Sequence, residues 1–314
     1  MTSSDDARQV DDHVWLIDTQ YQQRTGAVAS FLLDGPHGLG LVDVGSGATL
    51  ESLLAGVRSA GFDPGQIERL ILTHVHLDHA GAAGALLKLT PRAQVYVHRF
   101  GAAHLSDPTR LVRSATRIYG DRMEELWGEI VPLPPERLTV VDDGDEIAVG
   151  PGALRVLYTP GHALHHIALH DERAGSLFAG DVAGVRLENP PLVRPPTPPP
   201  DLDLEAWYAS LDRIVALRPA RLFLPHFGTV DSVEEHLARL RERLQTWAEV
   251  ALARLRAGDD AEGIARAFAE SDRAQLLFLR DEDSARRYEL VANYLMSAQG
   301  YVRYFQTRRP DALR

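Results

Sequence analysis

Short runs of branched and aromatic residues, each closed by a turn signal, alternate with amphipathic stretches through the first part of the chain. Val14–Asp18, Ala27–Leu33 and Leu39–Val44 read as β-strands, the last two joined by the turn-rich Asp34-Gly35-Pro36-His37-Gly38. Ala48–Ala60 reads as a helix stopped at Gly61, Leu70–Thr73 as a buried-type strand, Ala82–Leu89 as a helix and Ala93–His98 as another strand. Residues 99–127 are expected to be mostly helical with a break at Gly120. Strands are expected again at Leu138–Val141, Ala153–Tyr158, Ile167–His170 and Ser176–Ala179. Strands interleaved with helices in this way predict sheets covered by helices.

The pattern changes at residues 190–200, where seven positions are proline (190, 191, 195, 196, 198, 199 and 200). Such a stretch is neither helix nor inner strand; it should be extended and semi-rigid, serving as a linker or as a wall or lid beside a site. Leu204–Leu217 then reads as a helix and Arg221–Leu224 as a strand. From Ser232 onward the chain reads as all-helical. Val233, Leu237, Leu240, Leu244, Trp247, Ala251 and Leu255 recur at helical spacing. Tyr288, Val291, Leu295, Ala298, Val302 and Phe305 repeat the pattern in a last helix, with Ser284 as its N-cap. These stripes are packing surfaces of a helical C-terminal extension, and they leave a homodimer face open.

Composition narrows the chemistry. A chain of 314 residues, 45% apolar and 25% charged, can bury a large core and has the balance of a soluble globular protein. The net charge of −11 argues against nucleic acid as a partner, which needs a basic face. There is no cysteine, so disulfides, thiolate ligands and a thiol nucleophile are excluded, and any metal must be held by His and carboxylates. Met1–Asp6 carries no secretory pattern, and no apolar run of about 18 residues occurs. A cytoplasmic protein without membrane contact is the expectation.

The densest chemistry lies at His74-Val75-His76-Leu77-Asp78-His79, between the apolar Leu70-Ile71-Leu72 and the small residues from Ala80. In an extended segment, alternation sends His74 and His76 to one side. Asp78 and His79, where the chain turns into the next element, can face a second centre, an arrangement suited to two metal ions. Two ions need more ligands than this cluster holds, and three later strand ends offer them. They are His162 after Tyr158-Thr159-Pro160-Gly161, Asp181 after Phe178-Ala179-Gly180, and His226 after Leu222-Phe223-Leu224-Pro225. Singly, each is the kind of polar residue that commonly ends a strand.

With these residues in this order, the chain resembles the metallo-β-lactamase-fold hydrolase superfamily over residues 10–230, including dimetal hydrolases such as glyoxalase II and the acyl-homoserine-lactone lactonases. The resemblance implies an α+β fold, a four-layer αββα sandwich, with residues 231–310 as the helical C-terminal extension. It implies that His74, His76 and His162 bind one ion, that Asp78, His79 and His226 bind the other, and that Asp181 bridges. It implies that Asp43 orients a ligand histidine, as carboxylates behind metal-bound imidazoles do. His166 is expected to stand behind the ligands or be buried in a strand. The ions are expected to be Zn²⁺, with Fe or Mn as alternatives for the same donors. Two cations sharing a water would produce a bridging hydroxide, and Asp78 could relay its proton. The expected reaction is cleavage of an ester, lactone or thioester of a small molecule. Phosphodiester hydrolysis and iron-dependent oxidoreductase chemistry are the alternatives.

Departures from relatives point the same way. The dizinc β-lactamases lack a bridging aspartate, so Asp181 steers away from antibiotic cleavage. The lactonases usually carry a Tyr shortly after that aspartate, and Gly184 and its neighbours offer none; Tyr21, Tyr119 or Tyr208 would have to substitute. Arg186, five residues after Asp181, is the expected anchor for substrate, while the stripe Arg110, Arg113 and Arg117 reads as a solvated helix face, with recognition of a substrate carboxylate or phosphate as the alternative.

Overall fold

The structure is a computed structural model that describes residues 7–187, 192–276 and 282–314. Met1–Asp6, Pro190 and Pro191 lie outside the described residues. The chain divides into two compact units, Met1–Tyr158 with His165–Ala179, and Thr159–Leu164 with Gly180–Arg314.

The first unit holds a seven-stranded sheet, β1 (Ala7–Asp11), β2 (Val14–Asp18), β3 (Ala29–Leu33), β4 (Leu39–Val42), β5 (Ile67–Ile71), β6 (Gln94–His98) and β7 (Leu138–Val141), in that order. Strands β1–β4 pair antiparallel, and β4–β7 pair parallel. The parallel half needs helical crossovers. The chain supplies α1 (Leu50–Ser59) between β4 and β5, then α2 (Leu77–Ala80) and α3 (Ala83–Leu89) between β5 and β6. Next come α4 (Arg99–Ser106), α5 (Thr109–Tyr119) and α6 (Met123–Trp127) between β6 and β7. Leu53, Leu54 and Val57 of α1 and Leu86 of α3 pack with Leu41 and Leu70 in one buried cluster. All five residues of β3 are buried, as a strand covered on both faces must be.

The other face of that sheet meets a second, in which β8 (Glu146–Val149), β9 (Gly152–Tyr158), β10 (Ile167–Asp171) and β11 (Ser176–Phe178) run antiparallel in succession. Phe31 of β3 and Phe178 of β11 meet edge to face, ring centroids 5.5 Å apart. A Cβ on Gly40 of β4 would lie 2.4 Å from Val149 Cγ2 of β8, so the sheets close tightly there.

The second unit contains α7 (Leu204–Leu217), the antiparallel hairpin of β12 (Arg221–Leu224) and β13 (Gly228–Val230), and then α8 (Val233–Arg256), α9 (Ala261–Leu276), α10 (Glu282–Val291) and α11 (Tyr294–Thr307). Two sheets with covering helices make this an α+β fold of the αββα sandwich type with a helical C-terminal extension. Among the described residues no helix is long and apolar enough to cross a membrane.

Two local expectations are corrected. The stripe from Tyr288 to Phe305 is two helices rather than one, because Asn293 turns extended (φ −61°, ψ 132°) and its side chain accepts the Met296 N–H as the cap of α11. Ser284 lies inside α10, where its hydroxyl accepts a hydrogen bond from Arg287, and is not an N-cap. The described part of the proline-rich stretch is no free linker: residues 192–197 are buried, and Arg194 pairs with Val185 in a two-residue β-bridge.

Candidate metal centre

In the first unit, four donors gather where β5 ends. His74 and His76 flank Val75 in extended chain, and their Nε2 and Nδ1 atoms stand 3.0 Å apart. Asp78 and His79 open α2, with His79 Nε2 3.5 Å from Asp78 Oδ2. His74 and His79 are fully buried, and the Asp78 side chain is 18% exposed.

One carboxylate stands behind this set. Asp43, just past β4, adopts a left-handed conformation (φ +56°), an uncommon state that costs energy unless surrounding bonds hold it. Here they do. Asp43 Oδ1 accepts the Thr73 backbone N–H at 2.8 Å, both carboxylate oxygens lie within 3.0 Å of the Thr73 hydroxyl, and Oδ2 accepts from His79 Nδ1 at 2.9 Å. His74 Nδ1 in turn donates to the Thr73 hydroxyl at 3.0 Å. This network fixes both tautomers: Nδ1 carries the proton on His74 and His79, and each Nε2 keeps its lone pair for a metal.

In the second unit the donors come from three loops. His162 follows β9, Asp181 sits in the single turn Gly180–Ala183 after β11, and His226 occupies the tip of the β12–β13 hairpin. Asp181 reaches both imidazoles, Oδ2 lying 3.4 Å from His162 Nε2 and Oδ1 3.4 Å from His226 Nε2. His162 Nδ1 donates to the Pro196 carbonyl at 2.8 Å, which turns an unprotonated Nε2 toward Asp181. Gly161 makes the approach possible: a Cβ there would fall 2.4 Å from Trp207 Cα, on a backbone with φ +137°. Trp207 is fully buried and donates to Val182 O at 2.7 Å, bracing the Asp181 turn.

These spacings test whether a metal fits. Ligand bonds of about 2.0–2.1 Å in a tetrahedral site place neighbouring donors about 3.3–3.4 Å apart. The four donor–donor separations above run from 3.0 to 3.5 Å. Imidazole nitrogens and carboxylates with fixed tautomers at that spacing suit a borderline divalent ion such as zinc.

His166 is fully buried with its ring 5.1 Å from that of His74. Arg186 is joined to His226 through the backbone, its N–H donating to His226 O at 2.6 Å. Its guanidinium is half-buried, and burial lowers its pKa from the usual guanidinium value. Arg110, Arg113 and Arg117 are all exposed on α5.

Sequence reasoning missed the roles of Thr73 and the Pro196 carbonyl, and it named Tyr21, Tyr119 and Tyr208 without placing them. Thr73 adjoins the motif and was detectable as a hydroxyl next to a ligand. The Pro196 carbonyl gives no signal in a sequence. Tyr21, Tyr119 and Trp127 come together in the first unit, Trp127 stacking on Tyr21 at 5.6 Å and meeting Tyr119 edge-on at 5.1 Å. Burial, reinforced by the Asp78 charge, pushes both phenols up and keeps them protonated as donors. Three left-handed residues, Gln20, Gln22 and Gln23, surround Tyr21 in its loop. Tyr208 lies in the second unit under Arg241, 5.3 Å from guanidinium carbon to ring centroid. Burial, with the neighbouring His76 and His104, depresses the pKa of His165, whose ring stands 5.7 Å from that of His76.

Comparison with known proteins identifies the family. Residues 24–226 match the family model of the metallo-beta-lactamase superfamily. A metallo-beta-lactamase fold-containing protein of Sulfurisphaera tokodaii is 32% identical over 188 residues, 57% of this chain and 69% of that protein. An acyl-coenzyme A thioesterase of Gallus gallus is 31% identical over 177 residues, and the chain spans 57% of that relative's length. A metallo-beta-lactamase family protein of Thermus thermophilus superposes with a TM-score of 0.70 over 96% of this chain and 95% of its own, at 24% identity, a likeness of fold.

Proposed function

The chain belongs to the metallo-beta-lactamase superfamily, and from that premise we propose that it is a two-metal hydrolase cleaving an ester, lactone or thioester of a small molecule. The observation that carries the reading is the Asp181 carboxylate, which presents one oxygen to His162 and the other to His226 at equal separations of 3.4 Å. His74, His76 and His162 would hold one ion and Asp78, His79 and His226 the other, and Asp181, which faces both His162 and His226, would serve both. Residues 10–230 form the catalytic part and residues 231–310 the extension.

Two bound divalent cations would lower the pKa of a shared water toward neutrality and polarise the acyl oxygen. The chain's own groups do the rest. Asp43 and Thr73 keep His74 and His79 in the tautomers a metal needs. Asp78, the least buried of the carboxylates in the set, holds and moves the proton. Tyr21, Tyr119 and Trp127 form an apolar wall toward Asp78 that excludes water, and their phenols can donate a hydrogen bond to a departing or polarised atom. Arg186 anchors an anionic part of the substrate. The thioester arm draws support from the Gallus gallus relative, whose name describes an acyl-coenzyme A thioesterase.

The test is a substrate panel on Zn²⁺-loaded protein: an acyl-coenzyme A, an acyl-glutathione, a lactone, a simple ester and bis-p-nitrophenyl phosphate. Turnover of a carboxylic substrate that disappears in Asp78→Ala supports the reading. Turnover of the phosphodiester alone overturns it. So does stoichiometric iron with oxygen consumption in protein purified without added metal.

A further inference from the structure

Among the described ligands, His162 is oriented by the main chain of the proline-rich segment: its Nδ1 proton goes to Pro196 O at 2.8 Å. That carbonyl is only as well placed as the segment carrying it. A proline-rich stretch cannot hold itself by ladder bonds, because most of its nitrogens lack a proton.

Besides the two backbone bonds that Arg194 makes with Val185, the segment is held by the C-terminal helices. Arg194 is 1% exposed, one of the largest fully buried side chains in the protein. Its Nη1 donates to Glu289 Oε1 at 2.7 Å and to Ala292 O at 3.1 Å, and its Nη2 to the Tyr294 hydroxyl at 2.6 Å. The guanidinium carbon lies 3.9 Å from the Tyr294 ring centroid and 5.1 Å from that of Tyr288. Tyr294 passes its own proton to Asp272 Oδ2 at 2.9 Å. On the other side of Pro196, Thr197 donates to Ser297 O at 3.4 Å. A Cβ on Gly300 of α11 would lie 1.9 Å from Thr197 O, so only glycine lets the helix press against the segment.

We propose that Arg194 is a positioning residue: it locks the Pro196 carbonyl onto His162, so the helical extension sets the ring of one metal ligand. The inference rests on the proposed reading of His162 as a ligand. A planar guanidinium with three hydrogen-bond acceptors in fixed directions fits the task, because a lysine would keep the charge and lose the fork. Losing a partner that orients a ligand imidazole typically costs about 10- to 100-fold in metal affinity.

The experiment measures Zn²⁺ affinity and stoichiometry by chelator competition in wild type, Arg194→Met, Arg194→Lys and Gly300→Ala, together with kcat and KM on whichever panel substrate is turned over. Tyr301→Phe, which removes the 2.9 Å bond to Leu244 O away from the segment, serves as the stability control. Expected is about 10-fold weaker binding of one of the two ions in Arg194→Met and Gly300→Ala, with partial rescue in Arg194→Lys. The loss should appear in kcat more than in KM, and Tyr301→Phe should lower only the Tm. Should Arg194→Met fail to fold, Gly300→Ala decides. Wild-type affinity for both ions in the folded variants overturns the proposal. Because binding is read without substrate, a wild type that takes up two ions but turns over nothing overturns the proposed reaction and leaves this test standing. A wild type that takes up no ion overturns both.

Discussion

His79 Nδ1 lies 2.9 Å from Asp43 Oδ2, with both side chains almost wholly excluded from solvent. The same carboxylate accepts the Thr73 hydroxyl that in turn receives the His74 proton. Replacing Asp43 with alanine removes the acceptor of His79 Nδ1 and of Thr73, and leaves the hydroxyl that receives the His74 proton without its own anchor. The expected outcome is about 10- to 100-fold weaker Zn²⁺ binding and about 1–3 kcal/mol of lost stability from stranded buried donors. Chelator competition and urea unfolding of the variant measure the two.

Asp181→Asn keeps the shape and removes the charge that both His162 and His226 face. It should lower metal content below that of the wild type and reduce kcat at least about 100-fold, the lower end for losing a group at the reacting centre. Metal analysis after gel filtration and kcat on a turned-over panel substrate give the result; full metal content with wild-type kcat would contradict the assigned role.

His236 donates from Nε2 to Ala183 O at 2.8 Å, in the same turn as Asp181, and burial holds its pKa at about 4. An unfolded histidine titrates near 6.5, so between those values the unfolded chain binds the proton and the folded protein does not. Its contribution to stability is therefore complete above about pH 6.5, falls as the pH drops toward 4, and levels off below, a total of roughly 3 kcal/mol. Unfolding curves across this range should be steeper in pH for wild type than for His236→Gln; parallel curves would remove the assignment.

Gly161→Ala places a Cβ 2.4 Å from Trp207 Cα at φ +137°, where an L side chain is strained whatever the space. A loss of about 1–3 kcal/mol is expected, visible as a lower Tm, together with weaker binding at the ion that His162 serves.

Arg186→Ala should raise KM about 10-fold for substrates with an anionic group and leave kcat and the KM of neutral esters nearly unchanged, the signature of lost uniform binding. Steady-state kinetics on a charged and neutral pair decide this.

Sheets covered by helices are legible because the strands that build the inner faces are short, branched and closed by turn residues, as in Ala29–Leu33 and Leu39–Val42; the αββα sandwich follows from the resemblance that the His and Asp motifs carry. The candidate donors were legible for a different reason: histidine and aspartate at successive strand ends carry their chemistry in the residue type. What escaped carries no such mark. β1 is a polar edge strand with two of five residues exposed, and β13 is three residues long. The cap at Asn293 interrupts an apolar stripe that keeps helical spacing on both sides, so periodicity alone runs through it. The Pro196 carbonyl is main chain. Tyr21 and Tyr119 are separated by almost a hundred positions, and only folding brings both to Trp127.

A single acid, Asp43, lies behind one imidazole from each proposed ion set, directly for His79 and through Thr73 for His74. If the proposed assignment holds, the two ions would share one electrostatic anchor. On the proposed assignment a disturbance at Asp43 would be felt at both at once, whereas one arriving through Pro196 would reach only the ion that His162 serves. The centre thus has two separable failure modes, joint release and loss of one ion alone, and the order in which metal leaves a variant reports which support was cut.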